Sequence, residues 1–594
     1  MSDTVKLKID HMDVEVPRGT TVLEAARKLG LKIPTLCHLE GVHQQGVCRV
    51  CVVELEGRPN LLASCVLKAD NGMRVRTNSM RVLRARNTVF ELMLSDHHKD
   101  CLSCERNTDC ELQELAMHLG VDAARFAEDL STPRVLDISS QSLVRDSGKC
   151  ILCRRCVSVC EQVQTVGTIG VQDRGSASTV APAFVGLGDA VCVNCGQCAA
   201  VCPVNAIFER EHVHGVEAAI VDPTKHVVVQ TAPAIRAAIG ETMGMPAGSL
   251  VTGKLVTALK MMGFDAVFDT NWSADLTILE EGMELLGRLK RTLADGDASV
   301  ALPMMTSCSP GWVKFLEHFY PQLTPNLSTA KSPQQMMGTI IKTYYAQNLG
   351  LLPEDIVVVS VMPCTAKKFE AGRPEMTDSG VRDVDYVITT RELGRMIRKN
   401  GFDFENLPDG VFDDPLGRSS GAADIFANSG GVMEAALRTV YEVVTGRELP
   451  FENLHVTDLM DIKGVREIEV AFADVREDYR WLEGVTARLA ATSGLGNARG
   501  LMDKVAAGEG GYHFIEVMGC PGGCIGGGGQ PRMTTDAVRR ARFAAICAED
   551  EGKPIRKSHE NPMIKQIYDD FLGEPNSHKA HELLHTHYVQ RSRY

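Results

Sequence analysis

Nineteen of the twenty cysteines in this 594-residue chain fall into five groups typical of iron ligands. Four groups lie in tandem within the first 202 residues, and the fifth is spread over the remainder. Repeated C-x-x-C spacing suits metal clusters better than a disulfide framework. We expect no export signal at the N-terminus, and a reducing compartment then favours metal-bound thiolates. The chain is therefore predicted to carry several iron–sulfur centres.

Bulk composition excludes several classes of protein. At about 150 residues per domain the length predicts roughly four domains, and a hydrophobic fraction of 44% suffices for packed cores. A formal net charge of −13 argues against nucleic-acid binding. The apolar runs fall short of the ~18 residues that span a bilayer. We therefore expect a cytoplasmic protein with no membrane span and no nucleic-acid partner.

The first 80 residues have the pattern of a β-grasp domain. Alternating apolar residues in 5–9 and 14–16 predict two strands. Thr21 and Glu24 form a capping-box pattern ahead of a short helix that ends at Gly30. The cysteines that follow resemble, without matching, the plant-type ferredoxin spacing. We predict one [2Fe–2S] centre, with structural zinc as the alternative, on four ligands: Cys37, Cys48, Cys51 and Cys65.

A stretch predicted to be helical, 81–119, contains only three cysteines, Cys101, Cys104 and Cys110. His97 precedes the first of them by four residues, which would place both on one face of a helix. We predict that His97 completes a [4Fe–4S] site and that His98 points elsewhere. The alternative is an incomplete site beside a core or surface histidine.

Residues 150–160 and 192–202 repeat one motif, C-x-x-C-x-x-C-x-x-x-C. This motif is typical of bacterial two-cluster ferredoxins, in which the fourth cysteine of each run binds the other cluster. Zinc ribbons seldom have three cysteines so close together. We predict two further [4Fe–4S] clusters, one held by Cys150, Cys153, Cys156 and Cys202, the other by Cys192, Cys195, Cys198 and Cys160.

Beyond about residue 225, amphipathic helices alternate with apolar strands, which is typical of an α/β domain. The predicted fold class is multidomain, α+β and α/β. Its five parts are a β-grasp [2Fe–2S] domain (1–80), a small helical cluster domain (81–137), a bacterial-ferredoxin-like domain (138–224), a large α/β domain (225–545) and a helical C-terminal segment (546–594).

Three long motifs lie in the α/β domain, at 306–312 (TSCSPGW), 362–370 (MPCTAKKFE) and 516–531 (EVMGCPGGCIGGGGQP). Together with the tandem clusters, they closely resemble the [FeFe]-hydrogenases. That family binds an H-cluster, a [4Fe–4S] cubane joined by a thiolate to a diiron unit with CO, CN and a bridging dithiolate. The resemblance implies reversible H₂ oxidation and proton reduction, and maturation enzymes that supply the diiron unit. The large α/β domain would then be catalytic, with the C-terminal segment a fused small subunit.

The resemblance also implies roles for individual residues. Cys364, Cys520 and Cys524 would bind the H-cluster, and Lys367 would donate to a cyanide ligand, whereas the alternative is a surface lysine like Lys368. Pro233, Gln334, Met362 and Met518 would line the diiron pocket, although methionine is equally a common core residue.

A run of four glycines, 526–529, follows Cys524. We expect these glycines to let the backbone approach the cluster in conformations that only glycine adopts. A phosphate-binding loop is the alternative, but the lysine and hydroxyl residue of such loops do not follow.

One position departs from the family pattern. The family usually has two consecutive cysteines, the first passing protons and the second binding the cubane, whereas this chain has Cys308 followed by Ser309. Either Ser309 binds the cubane through its oxygen, or Cys308 binds the cubane and no thiol is left at this position to pass protons. Alignment of the motif without gaps places Ser309 at the ligand position and favours the first alternative. Iron prefers thiolate to alkoxide as a ligand, which favours the second.

A buried site that consumes protons needs a path for them. Glu281 and Glu284 lie three residues apart on a predicted helix, and therefore on one face. With Ser328 they match the family's carboxylate–serine relay leading to Cys308. The alternative is an ordinary solvated face.

The C-terminal segment places His578, His581 and His585 on one predicted helical stripe, which raises a metal hypothesis. The resemblance instead implies that this tail packs on the catalytic domain without metal. Cys547 stands alone in a helical stretch, and we predict that it is a buried apolar residue.

These patterns predict a hydrogenase with one [2Fe–2S] cluster, three [4Fe–4S] clusters and an H-cluster. The chain has no Rossmann or flavin motif, so NAD(P)H use would require flavin/NAD(P)-binding and small iron–sulfur partner subunits. The resemblance, which includes the Cys308–Ser309 variant, is closest to the hydrogenase subunit of multimeric NAD(P)-linked complexes, among them electron-bifurcating ones, and a ferredoxin-dependent stand-alone enzyme is the alternative. An H₂ sensor should carry an appended signalling module, and an electron-transfer subunit of the NADH dehydrogenase type should lack Cys364, Lys367, Cys520 and Cys524.

Overall fold

The computed structural model describes residues 4–121, 125–126, 134–450 and 464–593. Residues 1–3, part of the stretch behind the expectation of no export signal, lie outside the described residues. The chain divides into two compact units, Met1–Ala190 with Val201–Phe208 and Val191–Ala200 with Glu209–Tyr594. Within the described ranges, no helix is both long and apolar enough to cross a bilayer.

The described part of the first unit contains ten short strands, the last of which ends one residue inside the second unit. They are β1 (Thr4–Ile9), β2 (Met12–Pro17), β3 (Val52–Leu55), β4 (Leu62–Ala63), β5 (Arg74–Arg76), β6 (Leu136–Asp137), β7 (Leu143–Asp146), β8 (Gly170–Gln172), β9 (Thr179–Ala181) and β10 (Ile207–Glu209). Strands β1 and β2 form an antiparallel hairpin with alternate residues buried. Strand β5 joins β1 in parallel, which gives the sheet order β2-β1-β5-β3-β4. The predicted β-grasp sheet is therefore present.

The first unit also has four α-helices in its described part: α1 (Val22–Lys28), α2 (Met80–Ser95), α3 (Glu111–Leu119) and α4 (Arg155–Ser158). Helix α1 begins as predicted, because the Thr21 hydroxyl accepts from the Glu24 N–H and Glu24 accepts from the Thr21 N–H. The prediction of a continuous helix over 81–119 is wrong. The chain leaves helical geometry after Ser95 and has only a short 3₁₀ turn, Cys101–Ser103, before α3.

The second unit contains two four-stranded sheets. Its strands are β11 (His226–Thr231), β12 (Ala266–Asp269), β13 (Met304–Met305), β14 (Ile356–Met362), β15 (Tyr386–Thr389), β16 (Val465–Ala471), β17 (Thr486–Ser493) and β18 (Phe514–Met518). One sheet has the all-parallel order β12-β11-β14-β15. The other has the order β13-β18-β17-β16, in which only β16 is antiparallel. Strands β11 and β14 are buried along nearly their whole length, as parallel strands covered on both faces are.

Helices cover these sheets. They are α5 (Gln197–Val201), α6 (Val213–Ile220), α7 (Thr252–Met261), α8 (Thr270–Leu293), α9 (Pro310–Phe319), α10 (Pro333–Ile340), α11 (Ala346–Leu349), α12 (Ala366–Ala371), α13 (Thr390–Lys399), α14 (Gly421–Asp424), α15 (Gly431–Thr445), α16 (Leu495–Ala506), α17 (Asp536–Gly552), α18 (Pro562–Ile567) and α19 (His578–Leu584). The predicted mixed, multidomain fold class is confirmed. Helix α8 is the one that carries Glu281 and Glu284.

The C-terminal helices differ in part from expectation. Cys547 is buried within α17, as predicted. The prediction of one stripe of three histidines is wrong, because α19 ends at Leu584 and His585 has extended backbone geometry. His585 is buried, whereas His578 and His581 are exposed. The three histidines therefore do not share a helix face.

Arg236 organises a buried ion cluster beside the first sheet. Its guanidinium lies 2.7 Å from Asp269 and 3.0 Å from Asp424, and all three side chains are at most 2% exposed. Removing one partner of such a pair leaves an uncompensated charge in the core.

We expect Arg236→Met to lower the free energy of unfolding of the second unit by about 3–5 kcal/mol. Arg418→Met is the matched control, since the Arg418–Asp414 pair is exposed and should contribute only about 0–1 kcal/mol. Chemical denaturation of both apoprotein variants measures the difference. Equal stability of the two variants would contradict the assigned role of Arg236.

Candidate active site and cluster-binding sites

The four cysteines predicted for the [2Fe–2S] centre come together in the first unit. Cys51 Sγ lies 3.3 Å from Cys65 Sγ, and the Cys48 N–H is 3.5 Å from Cys37 Sγ. All four side chains are buried. Hydrogen bonds from the Cys48 and Cys65 thiols hold the pKa of Cys37 well below its usual range. Three of these cysteines lie in the loop between α1 and β3, and Cys65 follows β4. The fold of this unit therefore brings the four thiols together.

His97 lines one cavity with Cys101, Cys104 and Cys110. Its Nδ1 lies 3.1 Å from the Lys149 carbonyl oxygen. Donation to that carbonyl leaves Nε2 with the lone pair that a metal needs. Burial lowers the pKa of His97 to about 4, so the ring is neutral at pH 7. The four side chains converge through loop geometry and not through a shared helix face.

His98 lines the same cavity, contrary to the prediction that it points elsewhere. The helix on which that prediction depended has ended before His97. The chain turns after Asp96, and the His98 N–H donates to the Gly148 carbonyl at 2.9 Å.

A second cavity of the first unit is lined by Cys150, Cys153, Cys156 and Cys202. Burial raises the pKa of Cys150 to about 11. Cys202 therefore meets the cysteines of the first ferredoxin-type run, as the crossover rule predicts. Its sequence companions Cys192, Cys195 and Cys198 belong to the second unit, and Cys160 belongs to the first. Their grouping with Cys160 stays a prediction.

In the second unit, each predicted H-cluster segment follows the carboxyl end of a parallel strand. Pro233 follows β11, Cys308 follows β13, Cys364 follows β14 and Cys520 follows β18. These strands belong to two sheets; within each sheet the parallel strands end at a common edge, and ligand sites of α/β folds lie beyond such edges. Met362 and Met518 are the last residues of β14 and β18, and each is 2% exposed.

Three thiols meet beyond these strand ends. The thiols of Cys364 and Cys520 are hydrogen-bonded to each other, and burial together with the neighbouring Cys364 raises the pKa of Cys524. The Cys520 thiol and the nearby Lys367 ammonium hold the pKa of Cys364 below its usual value. Cys308 and Cys524 both pack against the apolar cluster that contains Met518 and Ile278.

Cys308 and Ser309 face different neighbours. The Ser309 hydroxyl oxygen accepts a hydrogen bond from the Gly519 N–H at 3.0 Å, directly before Cys520. Burial raises the pKa of Cys308, and Glu281, Lys367 and Cys524 all lie close enough to influence it. Ser309 therefore points to the Cys520 loop, whereas Cys308 lies between the carboxylate helix and Cys524.

Lys367 is buried beside Cys308. Its Nζ donates to the Cys308 carbonyl and to Glu370 Oε2, each at 3.0 Å. Gln334 donates to the same Glu370 oxygen at 3.0 Å, and its own Oε1 is buried without a partner among the described residues. Lys368 is not a surface lysine, because it is 3% exposed and pairs with Glu392 at 3.0 Å.

Carboxylates and hydroxyls connect Cys308 to the edge of the unit. The Ser307 Oγ lies 3.4 Å from Glu281 Oε1, and the Ser328 hydroxyl donates to Glu284 Oε2 at 2.7 Å. Ser328 also lies close enough to Glu281 to influence the pKa of that carboxyl. Burial and the neighbouring Glu284 raise the pKa of Glu281 to about 8, so this carboxyl is protonated at pH 7. Glu281 Oε2 has no hydrogen-bond partner in the described part of the chain.

Sequence reasoning missed some residues of this path. Arg288 pairs with Glu284 at 2.7 Å, and the Thr329 N–H donates to Glu284 Oε2 at 3.1 Å. The i,i+4 spacing of Glu284 and Arg288 is a signal that could have identified the first contact. Nothing local in the sequence indicates the second, because Thr329 lies 45 residues away.

The glycine run has a different role from the one predicted. None of Gly526–Gly529 has a positive φ, so conformational freedom is not what requires glycine. A Cβ on Gly527 would collide with the Pro363 carbonyl, and one on Gly528 would collide with the Cys195 carbonyl. The glycines let the backbone after Cys524 pack directly on the segments that carry Cys364 and Cys195.

The loop around Cys192–Cys198 contacts two of the H-cluster segments within the second unit. The Thr365 hydroxyl donates to the Asn194 carbonyl at 2.6 Å, and the Gln197 amide donates to the Gly526 carbonyl at 2.9 Å. Cys195 therefore lies between the neighbours of Cys364 and of Cys524. This arrangement brings an accessory cysteine loop to the candidate active site.

Comparison with known families identifies the chain. The model described as "Iron only hydrogenase large subunit, C-terminal domain" matches residues 225–528, just over half of the sequence. The chain belongs to the iron-only hydrogenase family. It is thus an oxidoreductase that acts on H₂, with amino-terminal iron–sulfur domains for electron relay. Three family models match these amino-terminal domains: a 2Fe–2S cluster binding domain at 2–80, an NADH-ubiquinone oxidoreductase-G iron–sulfur binding region at 86–125 and a 4Fe–4S dicluster domain at 149–212. The iron hydrogenase small subunit model matches residues 536–591.

Relatives of this hydrogenase align over nearly the whole chain. It is 51% identical to the NADP-reducing hydrogenase subunit HndD of Solidesulfovibrio fructosivorans, over 99% of each chain. It is 38% identical to iron hydrogenase 1 of Clostridium pasteurianum, over 98% of this chain and 99% of that one. A structure of the [FeFe]-hydrogenase HydA1 from Chlamydomonas reinhardtii aligns with a TM-score of 0.58 and 45% identity, covering 64% of this chain and 99% of the other.

We expect Gly528→Ala to destabilise the second unit by about 1–3 kcal/mol, the usual range for overpacking. It should also reduce the iron content, because the new methyl group would separate the Cys195 and Cys524 segments. Gly500→Ala is the control, since α16 has open space there and alanine should stabilise that helix by about 0.5–1 kcal/mol. Thermal unfolding and iron analysis compare the two variants. Unchanged stability and iron in Gly528→Ala would refute the packing argument.

Proposed function

We propose that this hydrogenase catalyses reversible H₂ oxidation and proton reduction at an H-cluster held by Cys364, Cys520 and Cys524. The single observation that carries the proposal is the meeting of these thiols at one place, although their segments lie more than 150 residues apart in sequence. When bound, the H-cluster supplies the metal centre at which H₂ is cleaved or formed.

The pocket residues fit such a group. Three thiols and one hydroxyl offer four ligands for a cubane. The buried Lys367 ammonium supplies a hydrogen-bond donor for an anionic ligand shell. Pro233, Met362 and Met518 supply buried, apolar surface that excludes water.

Proton movement is assigned to this chain's own side chains. We propose that a proton passes between Cys308 Sγ and Glu281, then through the Ser328 hydroxyl to Glu284. The raised pKa of Glu281 supports this order, since a carboxyl with a pKa of about 8 both accepts and gives up a proton near neutral pH. Arg288 holds the outer carboxylate in place.

We propose that Ser309, and not Cys308, is the fourth ligand of the cubane. The 3.0 Å contact of its oxygen with the Gly519 N–H directs Ser309 to the Cys520 side, while Cys308 lies near Glu281. This assignment leaves the Cys308 thiol available as the inner end of the relay.

For electron transfer, we propose one [2Fe–2S] and three [4Fe–4S] clusters, each bound by one of the four ligand groups described above. The five-domain division predicted from the sequence goes with this assignment. The Cys192–Cys198 loop is the proposed donor to the H-cluster, because it contacts the segments of Cys364 and Cys524.

We further propose that the chain is the hydrogenase subunit of an NADP-linked complex. The 51% identical relative is named as a subunit of an NADP-reducing hydrogenase. Since the sequence has no nucleotide-binding motif, partner subunits would carry the flavin and NAD(P) sites. A ferredoxin-dependent enzyme is the alternative.

The test is infrared spectroscopy and turnover of the protein matured with the enzymes that build the diiron unit. We expect bands of bound CO and CN, H₂ uptake with an artificial dye and none with NADP⁺ alone. Absence of the bands after maturation succeeds on a reference hydrogenase would refute the proposed function.

Glu281→Gln should keep those bands and lower turnover by about 10²–10⁴-fold, because the amide carries no transferable proton. The exposed Glu509→Gln is the matched control and should behave as the unsubstituted enzyme. A Glu281→Gln enzyme with full turnover would exclude Glu281 from the proton path.

Exchange of Cys308 and Ser309 for alanine tests the ligand assignment. We expect Cys308→Ala to retain the H-cluster bands and lose most turnover, whereas Ser309→Ala should load the cubane poorly. Ser309→Cys should load well and have a more positive reduction potential, since a thiolate stabilises ferric iron less than an alkoxide does. The reverse result, with Cys308→Ala losing the cubane, would assign that ligand to Cys308.

A further inference from the structure

The C-terminal tail lies directly on the proposed proton relay. The Thr586 N–H donates to the Thr329 carbonyl at 2.7 Å, and the Lys331 N–H donates to the Leu584 carbonyl at 2.8 Å. The Tyr588 hydroxyl donates to the Ser328 carbonyl at 2.8 Å. Residues 584–588 thus run along the segment 328–331, which supplies two hydrogen-bond donors to Glu284.

His585 is the buried side chain of this tail. Its Nδ1 lies 2.8 Å from the Thr329 hydroxyl, and its Nε2 lies 3.1 Å from Glu280 Oε2. The side chain is 3% exposed. One ring therefore connects the relay segment to a second buried carboxylate on α8.

Glu280 and Glu284 are both held by groups outside α8. Glu280 also accepts from the Tyr568 hydroxyl and from the Asn576 N–H. Glu284 accepts from the Ser328 hydroxyl at 2.7 Å and from the Thr329 N–H at 3.1 Å. His581 stacks on His585 with ring centroids 4.0 Å apart. These are the charged and titratable groups that surround the His585 ring.

We propose that His585 is a positioning residue for proton transfer, acting through Thr329 on the carboxylate of Glu284. The Thr329 hydroxyl is fixed by the Nδ1 of His585, and its N–H orients Glu284 toward Ser328. Proton transfer along a hydrogen bond depends steeply on distance and angle, so a small shift of the 328–329 segment slows it. The proposal rests on the proposed function and adds the tail to the relay.

The two ring nitrogens make different contacts, which permits a discriminating experiment. Asparagine places a polar atom near the Nδ1 position and glutamine places one near the Nε2 position. If His585 acts through Thr329, His585→Asn should keep turnover within about threefold, whereas His585→Gln and His585→Leu should lower it about ten- to hundredfold. If the residue merely anchors Glu280, glutamine should rescue and asparagine should not.

The measurements use the full-length, matured protein with a saturating reduced dye as electron donor. We expect the impaired variants to retain the CO and CN bands and the KM for the dye, and to have a larger solvent isotope effect, because proton transfer becomes slower. The exposed His587→Leu is the control from the same tail. Thr329→Val should behave as His585→Leu, and Thr329→Ser, which keeps the hydroxyl, should behave as the unsubstituted enzyme.

Three results would overturn the proposal. The first is rescue of turnover by His585→Gln and not by His585→Asn. The second is an unchanged solvent isotope effect in both His585→Leu and Thr329→Val. The third is loss of the infrared bands in both of those variants, because the contact would then serve folding. Failure of the proposed function itself would look different, because the unsubstituted protein would then have neither the bands nor turnover.

Discussion

The catalytic unit depends on direct packing of one glycine loop against two other cysteine-bearing segments. Gly527 and Gly528 leave no room for side chains between their backbone and the Pro363 and Cys195 carbonyls. The relative positions of the Cys524, Cys364 and Cys195 segments are therefore set by main-chain contact, which is more rigid than contact through long side chains. A metal site needs this precision, because ligands displaced by a fraction of an ångström bind a rigid cluster poorly.

Electrostatics divide the same pocket into two sides. On one side, the Cys520 thiol and then the Lys367 ammonium lower the pKa of Cys364, which favours its thiolate form. On the opposite side of Cys308, burial and a like-charged neighbour raise the pKa of Glu281, which favours a protonated acid. Opposite pKa shifts of neighbouring groups are a usual sign of separate roles in one site. The proposed function assigns anion binding to the first side and proton transfer to the second.

The sequence predicted the kinds of domain better than the local geometry. Cysteine spacing is a short-range property that identified the repeated motif, and the crossover rule for that motif then placed Cys202 with Cys150, which line one cavity. The helix assumed around His97 was wrong, because loops that bind clusters are shaped by the cluster ligands and not by helical periodicity. The glycine run was identified but misread, since close approach to another segment depends on tertiary contacts that no local pattern records.

The contacts of α8 also explain why the tail belongs to the catalytic unit. Three consecutive helical turns of α8 carry Glu280, Glu281, Glu284 and Arg288, and Glu281 lies close enough to Cys308 to influence its pKa. Glu280 is buried against Tyr568, Asn576 and His585, all from the last 30 residues. Without that segment a buried carboxylate would lose its partners one residue away from the relay. Burying an unpaired carboxylate is costly, so the tail and the relay helix are required to fold together.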